Sequence, residues 1–543
     1  MGGARLSRPR IPCRRIVAAI ACATLAAWIT ASPAHAQEPR TASDILQLRV
    51  GQIRDGVPLQ VGGEPIASTV VLPDFYERRG FRPAWTDAAA RDELLATLRA
   101  CERDGLDPAD YHVAAIEERM RAPATPETEA DLDLLATDGV VRLGYHLRFG
   151  KVDLATLEPD WQFKPAEEAE LRADPAEALE DAVEKHAVAA GLDSLRPSHW
   201  MYAALRRSLA DYRAIEAAGG WKRVPEGPVL KPGAADPRLH ALEVRLAAEG
   251  DLPSAREGTA TYDSVLVAGV RRFQERHGLN QDGIVGTSTI RLLNVPVATR
   301  ISQLRISLER SRLLLQDLPD RFVVVNIPAF RALYVDGGRA RLISNVMVGK
   351  PYTQTPLFRA DMTYAVINPS WTIPPGIVRR DVIPGMRKEP DYLERKGFVK
   401  VGDQIVQPPG PDNALGRIKL MFPNPHHVYL HDTPHRELFA SDARTFSSGC
   451  IRVEKIEDLT ALVLDDPAKW SRQKLDAAIA TGKTRNITLA RRLPVLLTYW
   501  TAVVDGPDGR PHFYRDAYGR DPAFIAALDR PFQGMAPERR AKW

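Results

Sequence analysis

The chain has 543 residues, 44% hydrophobic and 26% charged, with 73 Lys and Arg against 69 Asp and Glu. That length exceeds what one hydrophobic core organises and predicts about three domains. The near balance of charge, without a concentrated basic face, argues against nucleic acid as a partner.

The first 36 residues read as a secretory signal peptide. A basic start with Arg5, Arg8, Arg10, Arg14 and Arg15 leads into an apolar run from Ile16 to Ile29, and Ala34-His35-Ala36 makes a small-residue cleavage site. The run is shorter than the roughly 20 residues that span a bilayer, so cleavage after Ala36 and no stable membrane span are expected. Without these residues the formal charge of +4 falls to −1, because they hold five arginines, no lysine and no acid. Cleavage also removes Cys13 and Cys22, leaving Cys101 and Cys450 in an oxidising compartment where a disulfide between them is one possibility. Cys101 lies in the helical pattern LLATLRACERDGL, whereas Cys450 follows Ser-Ser-Gly in a loop-like setting. That contrast favours two free thiols, one buried and one reactive.

Residues 37–225 carry helical periodicity, with Leu94, Leu95 and Leu98 in one stripe and Val140, Val141, Leu143 and Leu147 in another, and predict an all-α scaffold domain. GWKRVPEGPVLKPGAADP, rich in Gly and Pro, marks a boundary. A compact unit at 236–296 follows, with apolar stripes at Leu239, Leu242 and Leu246 and at Leu266, Val270 and Phe273. The turn Asp282 to Gly286 leads to a third helix with Thr289, Leu292 and Leu293. Its FQERHGLNQDGIVGTSTIRLLN resembles the small three-helix module that binds peptidoglycan; a helical spacer is the alternative. A helix around Ile301 to Leu315 bridges to a β-rich domain at 320–485, rich in β-branched and aromatic residues from Phe322 onward. Within it, about 374–406 breaks the strand rhythm with a helical, charged insertion suited to a lid. The chain turns helical after Asp466, and 486–543 is expected as a C-terminal extension. The fold class is therefore multidomain α+β.

Chemistry concentrates in VYLHDTPHRELFASDARTFSSGCIRV, residues 428–453, where His431 ends a strand 19 residues before Cys450. A thiol with a pKa near 8.5 is only a few per cent ionised at neutral pH, so a cysteine nucleophile needs a neighbouring base. His431 is the natural one. Gly449 admits close approach of a carbonyl and leaves backbone N–H groups near Cys450 open to a developing oxyanion. Arg452 alternates with Ile451 and Val453 and projects toward solvent or a substrate carboxylate.

His431-Asp432-Thr433 with Ser447-Ser448-Gly449-Cys450-Ile451-Arg452-Val453 resembles the signature of L,D-transpeptidases with the YkuD-type catalytic domain. The likeness extends through Thr355-Pro356-Leu357-Phe358, Asn368-Pro369-Ser370-Trp371, Gln407-Pro408-Pro409-Gly410, Asn413-Ala414-Leu415-Gly416 and Phe422-Pro423-Asn424, and the domain order is similar to the large Gram-negative members. The resemblance implies a periplasmic enzyme without cofactor or metal. In it Cys450 attacks a tetrapeptide stem, His431 serves as base and acid, and the Ser448 and Gly449 amides form the oxyanion hole. Peptidoglycan stem peptides are then donor and acceptor, giving a 3–3 cross-link through a thioester; an outer-membrane protein or water as acceptor stays open. Ser448 departs from the Ser-His-Gly-Cys of many members, and Asp432 stands where many have glycine. Tyr429 and Trp371 are candidates to line the substrate groove, with core packing the alternative for each. His426, His427, His431 and His435 show no familiar zinc spacing.

Overall fold

The computed structural model describes residues 40–158, 174–256, 258–316, 318–506 and 508–532. The leader, with Cys13, Cys22 and the expected cleavage site, lies outside the described residues. Among the described residues no helix is long and apolar enough to cross a membrane.

The N-terminal region is helical, built around α1 (Ala42–Arg54), α2 (Ala88–Arg99), α3 (Pro126–Phe149) and α4 (Trp200–Ala217). Thr125 caps α3 and Pro126 occupies its first turn, where a missing N–H costs nothing. Val140, Val141, Leu143 and Leu147 join Leu94, Leu95, Leu98 and Cys101 in one core. The polar residues that α3 takes inside are matched: Asp133 accepts from the Tyr76 hydroxyl (2.7 Å) and the Trp85 amide (2.8 Å), and Asp138 meets Arg142 (2.6 Å) and His112 (2.9 Å).

The second unit packs α5 (Leu239–Ala248), α6 (Ser264–Arg276) and α7 (Thr287–Leu293) around the predicted stripes. Leu292 sits only partly buried at the edge. Its signature residues are explained by packing. The Gln274 amide nitrogen donates to Asp282 (2.8 Å) and to the Ile284 carbonyl (3.0 Å), while its oxygen accepts the Gly283 amide (2.9 Å). Gly283 has φ +71°, and a Cβ there would come within 2.8 Å of Val267.

The bridging helix α8 (Val297–Leu314) is buried on almost every side and acts as the spine of the molecule. Arg312 pairs with Glu309, which also accepts the Val152 amide (2.7 Å), and Arg310 pairs with Asp521 (3.1 Å). One helix thus ties the scaffold to the C-terminal residues.

The β-rich domain is built on a nine-stranded sheet. Its strands are β1 (Arg321–Asn326), β2 (Arg331–Asp336), β3 (Arg339–Gly349), β4 (Phe358–Ile367), β8 (Ile418–Met421), β9 (Leu430–His431), β10 (Thr445–Ser447), β11 (Ile451–Val453) and β12 (Arg485–Thr498), in the order β10-β3-β11-β9-β8-β4-β12-β1-β2. Long β3 pairs with β2 along residues 339–345 and with β11 and β10 along 346–349, so the sheet rolls back on itself. One face packs Val346, Ala365, Ile418, Leu420, Leu430, Ile451 and Val453 against α9 (Ile456–Leu464). Between β4 and β8 stand β5 (Trp371–Thr372), β6 (Val399–Val401) and β7 (Gln404–Gln407), a small separate sheet. The insertion at 374–406 is therefore not purely helical: its short helices end in a β-hairpin that pairs back with Trp371.

The C-terminal boundary differs from the sequence reading. Residues from 486 onward, expected as an extension, begin inside the sheet, because β12 lies between β4 and β1. The following β13 (Ala502–Val503) and β14 (His512–Phe513) lie against α8, and α10 (Asp521–Leu528) inserts Phe524 and Leu528 into the scaffold core. The strand's exposed first half and the register break between Thr488 and Leu493, with Arg491 and Arg492 inside it, interrupt the pattern ahead of its buried second half, and that hid it.

Candidate active site

Strand alternation decides what the site contains. Leu430 and Ile451 face the core, so their neighbours Tyr429, His431, Cys450 and Arg452 face the other way. β9 and β11 run parallel, with His431 opposite Arg452, and on the other flank Lys419 of β8 stands opposite His431. Three adjacent strands thus present Lys419, His431 and Arg452 in a row. Cys450 lies one step back along β11 beside Tyr429, whose carbonyl accepts the Ile451 amide (3.1 Å).

The predicted residues are brought together on this face, but their resting contacts differ from the expected ones. The Cys450 thiol points at the His427 carbonyl, 3.8 Å away. His431 is 4% exposed and its Nδ1 has no hydrogen-bond partner among the described residues. Burial lowers the His431 pKa to about 3; Arg452 and Lys419 push the same way, and backbone groups of Asp432 and Leu415 oppose them. Burial raises the Cys450 pKa, partly countered by the Tyr429 backbone and hydroxyl and by Lys419 and Arg452. Both groups therefore rest neutral, and no thiolate–imidazolium pair is preformed.

Cys101 and Cys450 are both free, the first buried and the second half-buried. No disulfide joins them, as the sequence patterns favoured.

The turn before Cys450 is closed by side chains. Ser447 Oγ donates to the Cys450 carbonyl (2.5 Å) and accepts the Gly449 amide (3.1 Å), while Thr355 Oγ1 donates to the Gly449 carbonyl (2.8 Å). The Gly449 N–H, expected in the oxyanion hole, is thus already engaged. Glycine is required there by its backbone: φ is +118°, whereas a Cβ would meet nothing closer than 3.7 Å.

The remaining motif residues hold loops. Asn424 accepts the His426 (3.1 Å) and Val428 (3.2 Å) amides and donates to the Phe422 and Val428 carbonyls, fixing His427 at φ +54° with its carbonyl toward Cys450. Asn413 donates to the Gln407 and Pro408 carbonyls, and Asn368 to the Ile479 carbonyl. Asp432 turns away from the site: it accepts the Arg417 amide and pairs with Arg436 (both 2.9 Å), and it sits where a Cβ on Gly416 would collide.

Tyr429 borders the sulfur, and Trp371 lies behind it against Tyr429. The Tyr429 hydroxyl faces Cys450 and the Trp371 indole, and the Lys419 ammonium lies 4.0 Å over its ring. Trp371 also packs edge-on to Phe398 of the cap (6.4 Å). Arg452 is half-buried with an unpartnered Nε, and burial lowers its pKa. Ser448 is exposed and its hydroxyl takes a hydrogen bond from Arg380 of the cap (3.2 Å).

Sequence reasoning missed three contributors. Lys419 reads as an ordinary outward lysine in Ile-Lys-Leu until the fold covers that face. Arg380 is one of many charges in the insertion. Tyr518, from the supposed extension, donates to the Gly349 carbonyl (2.9 Å) and accepts the Thr355 amide (3.2 Å), bracing the loop that holds Gly449.

Comparison with known proteins agrees with this geometry. Residues 320–508 match the L,D-transpeptidase catalytic domain, 235–293 a "Putative peptidoglycan binding domain" and 71–209 a scaffold domain. A curated Haemophilus influenzae protein called "Putative L,D-transpeptidase" is 31% identical over 219 residues, covering 37% of this chain and 44% of the relative. The chain thus matches less than half the length of that relative. Crystal structures of L,D-transpeptidases from Xylanimonas cellulosilytica (16% identity, 50% of this chain, 99% of that chain, TM-score 0.18) and Stackebrandtia nassauensis (14%, 51%, 96%, TM-score 0.22) align too loosely to set any residue correspondence. The chain carries a YkuD-type catalytic domain of the L,D-transpeptidase family, preceded by a peptidoglycan-binding domain.

Proposed function

We propose that this protein is a periplasmic L,D-transpeptidase that forms 3–3 cross-links between diaminopimelate residues of peptidoglycan, using tetrapeptide stems as donors. The observation that carries this reading is the face on which a neutral histidine lies between two cations, Lys419 and Arg452, that form no ion pair with any described residue, with a cysteine one step back on the same face. A half-buried cation left without a carboxylate suits a substrate that brings one.

Cys450 turns from His427 and passes its proton to His431 as sulfur attacks the carbonyl of the third stem residue. With the Gly449 amide engaged, the oxyanion falls to the Ser448 and Cys450 amides and to the positive field of Lys419 and Arg452. Collapse breaks the amide, His431 gives its proton to the departing D-alanine amine, and a thioester remains. His431 then takes a proton from the side-chain amine of a second stem, which attacks the thioester and releases the sulfur. The cap, with Trp371 and Arg380, limits access of water to the thioester.

Incubating the protein with purified disaccharide-tetrapeptide tests this directly: a dimer linked through two third residues is expected from the wild type and none from Cys450→Ala. Tripeptide as sole product would make water the acceptor. Absence of any mass adduct at Cys450 with a carbapenem would overturn the enzymatic reading.

A further inference from the structure

A cleft of about 860 Å³ lies between the peptidoglycan-binding domain, α8 and the catalytic sheet, and the chemistry at Cys450 makes no use of it. Its size is that of a ligand site. Pro351 and Thr445 in its wall belong to the loop and strand that hold Ser447: the Lys350 amide donates to the Ser447 carbonyl (3.0 Å), as does the Thr353 hydroxyl (3.3 Å).

The cations of the cleft are unmatched. Arg291 and Arg515 are exposed in its walls and pair with no acid among the described residues. Arg300 is 2% exposed; its terminal nitrogens donate to the Gln303 side chain (2.9 Å) and the Leu292 carbonyl (3.2 Å), and its Nε has no partner. Burial lowers its pKa to about 10, with Glu249 opposing, so Arg300 stays charged at neutral pH while most of its surface is out of water. The Tyr514 hydroxyl and His277 Nε2, buried in the same wall, also lack partners. Of the acids of the wall, Asp521 pairs with Arg310 (3.1 Å), whereas Asp442 and Asp516 accept from the neutral Asn280 amide (2.9 Å) and Tyr499 hydroxyl (2.5 Å) and keep their charge. A mostly apolar wall with a few separated guanidiniums suits an acyl peptide bearing carboxylates better than a polyanion.

We infer that this cleft is a second peptidoglycan subsite, holding a carboxylate-bearing stem peptide of the strand being cross-linked while the catalytic face holds the donor. The inference rests on the transpeptidase reading for the identity of the occupant. It makes the peptidoglycan-binding domain one wall of a substrate site.

The test uses the full chain with Cys450 first acylated by a carbapenem, so that the donor site is blocked, and measures binding of disaccharide-tetrapeptide by calorimetry. The blocked wild type is expected to bind, and Arg291→Glu with Arg515→Glu to weaken binding about tenfold or more. The same peptide with its carboxyls amidated should bind weakly to both proteins. Carbapenem acylation should proceed at the wild-type rate in the charge-reversed variant, showing an intact catalytic face. Unchanged affinity on charge reversal, or no binding by the blocked wild type, overturns the subsite. If no adduct forms, the catalytic reading has failed by itself, and the same binding arms on Cys450→Ala still decide the cleft.

Discussion

Two regions of this molecule draw cationic side chains out of solvent, wholly in one and about halfway in the other, and they treat them in opposite ways. At the junction of the peptidoglycan-binding domain with α4, Arg245 meets Glu249 (2.8 Å) and Arg276 meets Asp251 (2.6 Å), and the Tyr212 hydroxyl donates to Glu249 (2.8 Å). On the catalytic face Lys419 and Arg452 meet no carboxylate, and burial lowers the pKa of both. A buried charge with a partner is architecture, since removing either member strands the other. A buried charge without one is a standing cost to the fold, retained where a ligand or transition state supplies the counter-charge.

The sharpest way to break this contrast is Glu249→Gln, which leaves Arg245 buried and uncompensated. It should lower stability by roughly 3–5 kcal/mol in urea unfolding, and a loss below about 1 kcal/mol would show that the pair is not architectural. Lys419→Met makes the opposite change. Thermal stability should hold or rise, while the rate of Cys450 acylation falls about 100-fold; equal loss of both would erase the distinction between the regions.

A pH profile sharpens the comparison further. In the proposed mechanism the neutral imidazole of His431 accepts the thiol proton, and its pKa is lowered from 6.5 to about 3. Acylation should therefore stay level as pH falls through 6.5 and decline only well below it. Arg452→Gln removes one of the lowering influences and should move that decline to higher pH. A wild-type decline centred near 6.5 would contradict the buried, cation-flanked histidine. The smallest effect is expected at Cys101, 0% exposed and with its thiol pKa raised by burial. Cys101→Ala should cost about 1–2 kcal/mol of stability with no change in acylation, and of Cys101 and Cys450 only Cys450 should take up a thiol reagent in the native protein.

Much of the site was legible because its residues lie close in the chain and their roles follow from chemistry. Cys450 with a preceding glycine and a histidine at a strand end points to the nucleophile and base proposed above, and the helical setting of Cys101 predicts the buried thiol found there. The reason for glycine at 449 was read only in part: close approach was expected, and the backbone conformation is what demands it. The loop-holding asparagines 368, 413 and 424 were visible as a pattern without a purpose, because their partners are backbone carbonyls that no sequence displays.

The sequence by itself determined the helical scaffold, the three-helix module and the alternation that turns His431, Cys450 and Arg452 away from the core, since periodicity and turn chemistry act over a few residues. Only the tertiary structure decided that Lys419 joins that face, that residues after 485 complete the sheet and brace the loop before Cys450 through Tyr518, and that the thiol rests on His427 rather than on His431. Each of these depends on which strand lies beside which and on what covers them. Burial and electrostatic neighbourhood arise from that long-range packing, and a local pattern carries no record of them.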